Sequence, residues 1–376
     1  MDRRTAAIYE RRAQEWIAQR ASKLDDRRRA REFARRFERG AMVADLGCGP
    51  GWYAAVLRRA GLSVVGLDLT RAMLVEARKR ERRLPLVRAD LVHLPFARES
   101  LDGAWARNSY FHVPARELPV ALGELHRVLR RGARIAVSLV NRGGLKDRPR
   151  ALRSGLASLR QREPRFRGRL FVAGDAEDWR ALFAGAGFAS IQIAAGLDSF
   201  AFTLNARRAR TLPDCVRPRL RLLVCGLNPS LVAADSGVPF AGATNRFWPA
   251  AVRAGLVTRE RDVRAALARG VGFTDLVKRA STGAAVLSAA EYRRGVARVA
   301  ALVERLAPRA VLFVGLDGYR RAVDARAQPG VVRGGFAGRP AYLMPSTSGR
   351  NATATLTALV SHLRRANRLT RARTSG

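Results

Sequence analysis

The sequence predicts two α/β/α sandwich domains in tandem, and three observations point to them. Two short apolar runs each end in a glycine-rich or polar turn: Met42 to Gly51 reads MVADLGCGPG, and Leu220 to Ser230 reads LRLLVCGLNPS. Such runs are buried strands of an α/β sheet, and ligands bind just beyond their carboxyl ends. From Met42 onward strand and helix patterns alternate, as a doubly wound sheet requires. Finally, 376 residues are enough for two hydrophobic cores.

Composition bounds the function. Hydrophobic residues make up 48% of the chain, which excludes a mainly disordered protein. The N-terminus, MDRRTAAIYERR, lacks the apolar stretch of a signal peptide, and no run of ~18 apolar residues follows. The expectation is a cytoplasmic chain with no membrane partner. Cys48, Cys215 and Cys225 are odd in number and never in CxxC spacing, which argues against a disulfide framework, structural zinc or an iron–sulfur cluster. No metal is implied. The formal charge is +39, from 70 Lys plus Arg against 31 Asp plus Glu. Lysine occurs only at Lys23, Lys79, Lys146 and Lys278, so nearly all of the positive charge is arginine. A GC-rich coding bias explains arginine over lysine but not the deficit of acids. The excess implies a polyanionic partner, most simply nucleic acid, bound in a salt-dependent way.

Residues 1–40 read as a helical cover, with Ile8, Tyr9, Trp16, Ile17, Phe33 and Phe37 as its apolar set. The arginine-rich run from Arg27 to Arg31 reads as a solvated face, with a nucleic-acid contact as the alternative. The first sandwich spans 41–205. Strands are expected at Met42 to Leu46, Ser63 to Asp68, Leu84 to Ala89, Asp102 to Ala106 and Ala133 to Val140. Helices are expected at Trp52 to Ala60, Ala72 to Arg82 and Glu117 to Arg130. The glycines of DLGCGPG let the backbone turn sharply and approach a ligand beside a helix N-terminus. Asp68, at the end of the second strand, is placed to accept hydrogen bonds from a ribose. A nicotinamide fingerprint GxGxxG fails, because Gly47 and Gly49 fit but the third position is Trp52.

This arrangement resembles the class I S-adenosylmethionine-dependent methyltransferases over about residues 40–205, on Asp45-Leu46-Gly47-Cys48-Gly49-Pro50-Gly51. The resemblance implies a Rossmann-like domain with S-adenosyl-L-methionine as cofactor. It places Asp45, Gly47, Gly49 and Gly51 around the methionine moiety, Asp68 on the ribose hydroxyls, and Asp90, in RADLVHLPF, on the adenine amino group. ELHRVLRRGARIAVSLV looks like the family's helix and fifth strand, with Arg131 replacing the commoner proline. Residues 188–194 and 199–204 would be its final antiparallel strands. The methyl acceptor stays unknown, since positioning alone can suffice for methyl transfer. Asn108-Ser109-Tyr110-Phe111 is not the [DN]PP[YF] of DNA amino-methyltransferases and no Pro-Cys pair is present, which disfavours a DNA methyltransferase. His112 and His126 read either as bases or as structural histidines.

Residues 206–219, ARRARTLPDCVRPR, read as a basic linker. The second sandwich spans 220–366, followed by a disordered tail at 367–376. Strands are expected at Leu220 to Leu227, Ala310 to Val314 and Pro340 to Met344. Helices are expected from near Asn245, at Glu260 to Arg269, at Ser288 to Leu306 and at Thr353 to Leu363, with Gly272 to Val277 as a turn and short extended segment.

This half resembles the mismatch-specific uracil/thymine DNA glycosylases of the uracil-DNA glycosylase superfamily. Two separated motifs carry the likeness, GLNPS against the usual GINPG and MPSTSGRNA, with PFAGATNRFW between them. The resemblance implies cleavage of the N-glycosidic bond of uracil or thymine in G·U and G·T mispairs of double-stranded DNA, by a monomer in base-excision repair. It makes Asn228 the residue that orients the attacking water, Phe240 and Asn245 base contacts, and Ser346, Ser348, Gly349 and Arg350 DNA contacts, with Arg350 as the wedge. A core phenylalanine is the alternative for Phe240. Asp275 in GFTDLV is a further candidate, a carboxylate able to take a proton from the water; the alternative is a turn or helix-cap aspartate. The whole chain then reads as a glycosylase fused to a methyltransferase. One rival makes the methyltransferase the main activity, on RNA or a small molecule, with the second half a nucleic-acid-binding module. Another makes the first half a non-catalytic ligand sensor or DNA-positioning domain.

Overall fold

The structure, a computed structural model, describes residues 1–20, 27–144, 156–161, 166–195, 200–217 and 220–371. The chain divides into two compact units, Met1–Ala184 with Phe188–Ala209 and Gly185–Gly187 with Arg210–Gly376.

In the first unit, the expected N-terminal helix is seen as α1 (Arg3–Arg11) and α2 (Ala13–Arg20), which part at Arg12, and α3 (Arg27–Ala34); residues 21–26 lie outside the described residues. Asp2 caps α1 by accepting the Thr5 N–H at 2.9 Å. Tyr9 of α1 and Ala13 of α2 pack with Met73. The core strands are β1 (Met42–Leu46), β2 (Ser63–Asp68), β3 (Leu86–Arg88), β4 (Leu101–Ala106) and β5 (Leu129–Asn141). Between them run α4 (Trp52–Arg59), α5 (Arg71–Arg80) and α6 (Leu118–Val128). They form a parallel sheet in the order β3-β2-β1-β4-β5. Val43, Ala44 and Leu46 are fully buried, which is why β1 reads as an apolar run and not as an alternating one. The order reverses at β1, between β2 and β4, and opens a crevice at the carboxyl ends there.

The sheet continues with elements the sequence pattern left unassigned: β6 (Ala157–Arg160), β7 (Leu170–Gly174) and α7 (Ala176–Gly185). β6 and β7 are only four and five residues long, too short for a period to stand out. Trp179 and Phe183 on α7 are nevertheless fully buried. The antiparallel pair β8 (Phe188–Ala195) and β9 (Ala201–Arg208) closes this edge, with β9 against β5.

The second unit holds β10 (Leu222–Gly226), α8 (Leu231–Ser236), α9 (Phe247–Arg253), α10 (Val263–Ala268), β11 (Val271–Asp275), α11 (Ala289–Leu306), β12 (Ala310–Val314), α12 (Leu316–Ala322), β13 (Gly330–Phe336), β14 (Arg339–Met344) and α13 (Leu356–Leu369). The sheet order is β11-β10-β12-β14-β13, parallel except for β13. Phe247, Trp248, Leu359 and Leu363 fill one face, and Val299, Leu302, Val303 and Leu306 the other. Ser288 and Glu291 form a reciprocal capping box that starts α11 at its expected residue.

Three local expectations change. Residues 271–275, expected as turn and short extended segment, are a fully buried strand beside β10. The expected linker is packed: Ala206–Arg208 belong to β9, Leu212 and Val216 are buried, and the backbone of Cys215 pairs with Phe273. Within that stretch, residues 218 and 219 lie outside the described residues. The expected tail begins later, because Asn367–Leu369 continue α13, whose Ala366 is fully buried. The rest of the expected disorder, residues 372–376, lies outside the described residues.

Candidate functional site

Among the described residues each unit holds a candidate site at the carboxyl ends of its central strands. In the first, Gly47, Gly49 and Gly51 follow β1 with φ of +75°, +52° and +78°, a region L-residues other than glycine rarely adopt. A Cβ on Gly47 would overlap that of Ser109, so side-chain contact as well as conformation demands glycine there. The N–H groups of Gly47 and Cys48 both donate to the Leu67 carbonyl, at 2.7 and 2.9 Å, tying the turn to β2.

Asp68 ends β2. Its Oδ2 accepts the Gly49 N–H at 3.0 Å, and its Oδ1 accepts the Thr70 N–H at 2.9 Å and hydroxyl at 2.6 Å. Burial pushes this carboxyl above its ordinary range. Asp45 is 1% exposed, and one carboxylate oxygen has no hydrogen-bond partner among the described residues. Burial, followed by the charge of Asp68, pushes it up to about 7. Asp90 is placed differently from expectation. Its carboxylate takes the Met1 ammonium at 2.6 Å and the Val92 N–H at 3.2 Å, while its neighbours Ala89 and Leu91 line the cleft.

The cleft encloses about 910 Å³ including its open mouth. Trp16 stacks on Trp52 along one wall, with ring centroids 5.5 Å apart. His112 also lines it, locked in a relay. Its Nδ1 lies 2.5 Å from the Leu170 carbonyl, which can only accept, so Nδ1 carries the proton. Its Nε2 therefore accepts from the Tyr9 hydroxyl at 3.0 Å, and Arg169 donates to Tyr9 at 2.8 Å. Burial pushes His112 down to about 3, so the ring is neutral and its nitrogens are occupied. His126 is buried and bonded to the Ala209 carbonyl, and does not line the cleft.

The second site is a cavity of about 1780 Å³ including its mouth. Asn228, Phe240, Asn245, Asp275, Ser346 and the Ser348–Arg350 stretch all line it, although they come from four separate parts of the chain. Asn228 follows β10. Its Nδ2 faces three acceptors for its two N–H donors, the carbonyls of Pro229 and Arg279, both at 3.1 Å, and Ser281 Oγ at 2.8 Å. Carbonyls only accept, so the nitrogen must face them, and Oδ1 is the atom left for a water. Ser281 donates in turn to the Gly283 carbonyl at 2.7 Å, which leaves its oxygen to accept from Asn228.

Asp275 ends β11 opposite Gly226. A Cβ on Gly226 would sit 2.5 Å from Asp275 Oδ1, so the glycine makes room for the carboxylate. Asp275 is 7% exposed, and burial pushes it up to about 6 against the opposing pull of Lys278. Phe240, at φ +55°, stacks on Phe247 with centroids 4.3 Å apart and planes 20° off parallel. Asn245 Oδ1 accepts the Phe247 N–H at 3.0 Å, leaving its Nδ2 to donate.

The loop with Ser346, Ser348, Gly349 and Arg350 is held by a residue the site reading did not single out, although it stands within PFAGATNRFW. Arg246 donates from its guanidinium to the carbonyls of Ser348 at 3.1 Å, Asn351 at 2.6 Å and Ala354. Its N–H donates to the Thr347 carbonyl at 2.9 Å. A Cβ on Gly349 would come within 2.5 Å of Thr244 Oγ1, so the loop lies hard against the Asn245 segment. Arg350 is exposed at the rim. Ser281 was also missed, and its only signal is spatial.

Residues 44–137 match the methyltransferase domain family, and residues 213–369 match the uracil DNA glycosylase superfamily. The chain thus carries a methyltransferase domain followed by a uracil DNA glycosylase superfamily domain. Methyltransferase GfsG of Streptomyces halstedii is 40% identical over 128 residues, 32% of this chain and 45% of that protein, so the chain spans less than half of its relative's length. Among solved structures, a possible histamine N-methyltransferase of Thermotoga maritima matches at 19% identity over 54% of this chain and 99% of its own, with a TM-score of 0.42. The 1,6-didemethyltoxoflavin-N1-methyltransferase of Burkholderia thailandensis matches at 18% over 54% and 88%, with a TM-score of 0.41. Among the described residues no helix is long and apolar enough to cross a membrane, and no group of three or more His, Cys, Asp or Glu could hold a metal.

Proposed function

We propose that the second domain is a DNA glycosylase that hydrolyses the N-glycosidic bond of uracil or thymine mispaired with guanine. The observation that carries this reading is the meeting of Asn228 and Asp275 in one cavity beside the stacked Phe240–Phe247 pair. A base in a duplex is reached only by extrusion, and mispaired bases cost least to extrude. Phe240, backed by Phe247, offers the flipped pyrimidine a stacking face, and Asn245 Nδ2 offers a donor to a pyrimidine carbonyl. Asn228 Oδ1 accepts a hydrogen bond from the attacking water. As the water oxygen bonds to the sugar's anomeric carbon, its proton passes to the Asp275 carboxylate. The glycosidic electron pair leaves with the base, as in other glycoside cleavage through a cationic sugar. Arg350, on the loop held by Arg246, fills the space left in the duplex.

The first domain, in this reading, is a methyltransferase that binds S-adenosylmethionine through Gly47, Gly49 and Asp68. The left-handed Gly47 and Gly49 and the acid at the end of β2 line the cleft and fit an amino-acid nucleoside, whereas Asp45 and Gly51 lie behind them and do not line it. The bound cofactor supplies an electrophilic methyl group. Tyr9, Trp16 and Trp52 wall off the cleft, and the neutral His112 orients Tyr9.

The test is a nicking assay on fluorescent oligonucleotides carrying G·U, G·T or single-stranded uracil, after alkaline cleavage of abasic sites. Wild type cleaves the mispairs, and Asn228→Ala lowers the single-turnover rate by at least ~100-fold while duplex binding is kept. An inactive wild type, or a fully active variant, overturns the glycosylase reading. Calorimetric titration with S-adenosylmethionine tests the first domain, and absence of heat removes its assignment.

A further inference from the structure

The segment that precedes β10 brings a carboxylate into the glycosylase core. Asp214 is 6% exposed. Its Oδ1 accepts from Thr274 Oγ1 at 2.6 Å and from Lys278 Nζ at 3.1 Å, and its Oδ2 accepts from Arg298 Nη1 at 2.8 Å. Arg298 also donates from Nη2 to Thr274 Oγ1 at 3.0 Å and to the Asp275 carbonyl. The paired backbones of Cys215 and Phe273, with both hydrogen bonds at 2.8 Å, fix Asp214 one strand position from this cluster.

Three charged groups set the field at the Asp275 carboxylate, Lys278 just beyond β11, Arg298 from α11 and Asp214 from the incoming segment, and the titratable Cys225 thiol on β10 also faces it. Burial pushes that thiol up, so it stays neutral. Both cations therefore bear on Asp275, yet both point their donors at Asp214. The Asp275 side chain makes no hydrogen bond with the described residues and stays in the cavity wall. Remove Asp214, and two partly buried cations would face Asp275.

We propose that Asp214 is a positioning residue for Asp275: by occupying Lys278 and Arg298 it keeps the neighbouring carboxylate out of an ion pair and able to accept a proton from water. This rests on the reading of Asp275 as the base. In that reading cleavage rises with pH as Asp275 ionises, and Asp214 sets where the rise falls.

The experiment compares wild type, Asp214→Asn and Lys278→Met in the full chain. Single-turnover cleavage of a G·U duplex is followed against pH, and the Asp275 carboxyl is titrated by carbon NMR on aspartate-labelled protein, assigned with Asp275→Asn. Asp214→Asn is expected to move the midpoint down by about one pH unit or more, because the freed cations favour the carboxylate. Lys278→Met is expected to move it up, because one of them is gone. A purely structural role would lower both amplitudes and leave both midpoints in place. Unmoved midpoints, or displacement of both in one direction, overturn the proposal. If Asp214→Asn does not fold, the direction of the Lys278→Met shift decides. Opposite NMR shifts in a chain that does not cleave would support the Asp214 assignment and refute the base role of Asp275.

Discussion

Replacing Asp275 with asparagine should stabilise the second domain at neutral pH while removing the proposed cleavage. Asp275 is 7% exposed, and its carboxyl is pushed from 3.8 up to about 6, mainly by burial. A folded-state value above the unfolded one means the native state binds the proton more tightly, so stability falls as pH rises between the two values. Below pH 4 both states are protonated and the residue contributes nothing. Above pH 6 the full penalty is present, about 3 kcal/mol for a shift of roughly two units. Asparagine has nearly the same shape and carries no such penalty. The difference between variant and wild type should therefore open between pH 4 and 6 and stay level above, with the variant the more stable. Because the chain has two domains, one global midpoint would blur the effect. Denaturant-dependent hydrogen exchange of the β11 amides reads the right domain. A variant equal to or less stable than wild type at pH 7.5, or a difference independent of pH, refutes the assignment of a carboxylate held at a cost for function.

Gly47→Ala should abolish S-adenosylmethionine binding by calorimetry, since the new Cβ meets Ser109 in a turn at φ +75°; left-handed strain of about 1–2 kcal/mol adds to the clash. Far-ultraviolet circular dichroism should show the fold retained. Arg350→Ala should slow cleavage of G·U duplex more than that of single-stranded uracil, and equal losses would argue against a wedge. Arg246→Ala should have the same duplex bias, because three loop carbonyls lose a charged donor, each bond worth about 1.5–3 kcal/mol. Fluorescence of 2-aminopurine beside the mispair should show extrusion reduced in that variant.

Much of the fold was legible because its strands are uniform apolar runs punctuated by residues with strong local preferences. The glycines of DLGCGPG, the asparagine–proline pair after β10 and the Ser288–Glu291 box each encode their turn or cap within a few residues. The boundaries of β1, β2 and β12 follow the apolar runs, and both sites lie at the strand ends those runs predict. Less legible were β6 and β7, too short to show a period, and β11, whose GFTDLV resembles a turn until both faces are covered.

Local sequence by itself determined where the backbone could bend and which strand ends could present an amide or a carboxylate, since these depend on conformational preferences of neighbouring residues. Only tertiary structure decided what those groups are free to do. It turned the Asn228 oxygen to the cavity through Ser281, drew Asp90 to the Met1 ammonium, and drew Asp214 out of an apparent linker to hold Lys278 and Arg298. Proton affinity and hydrogen-bond capacity are set by burial and by partners distant along the chain, and no local pattern of residues carries that information.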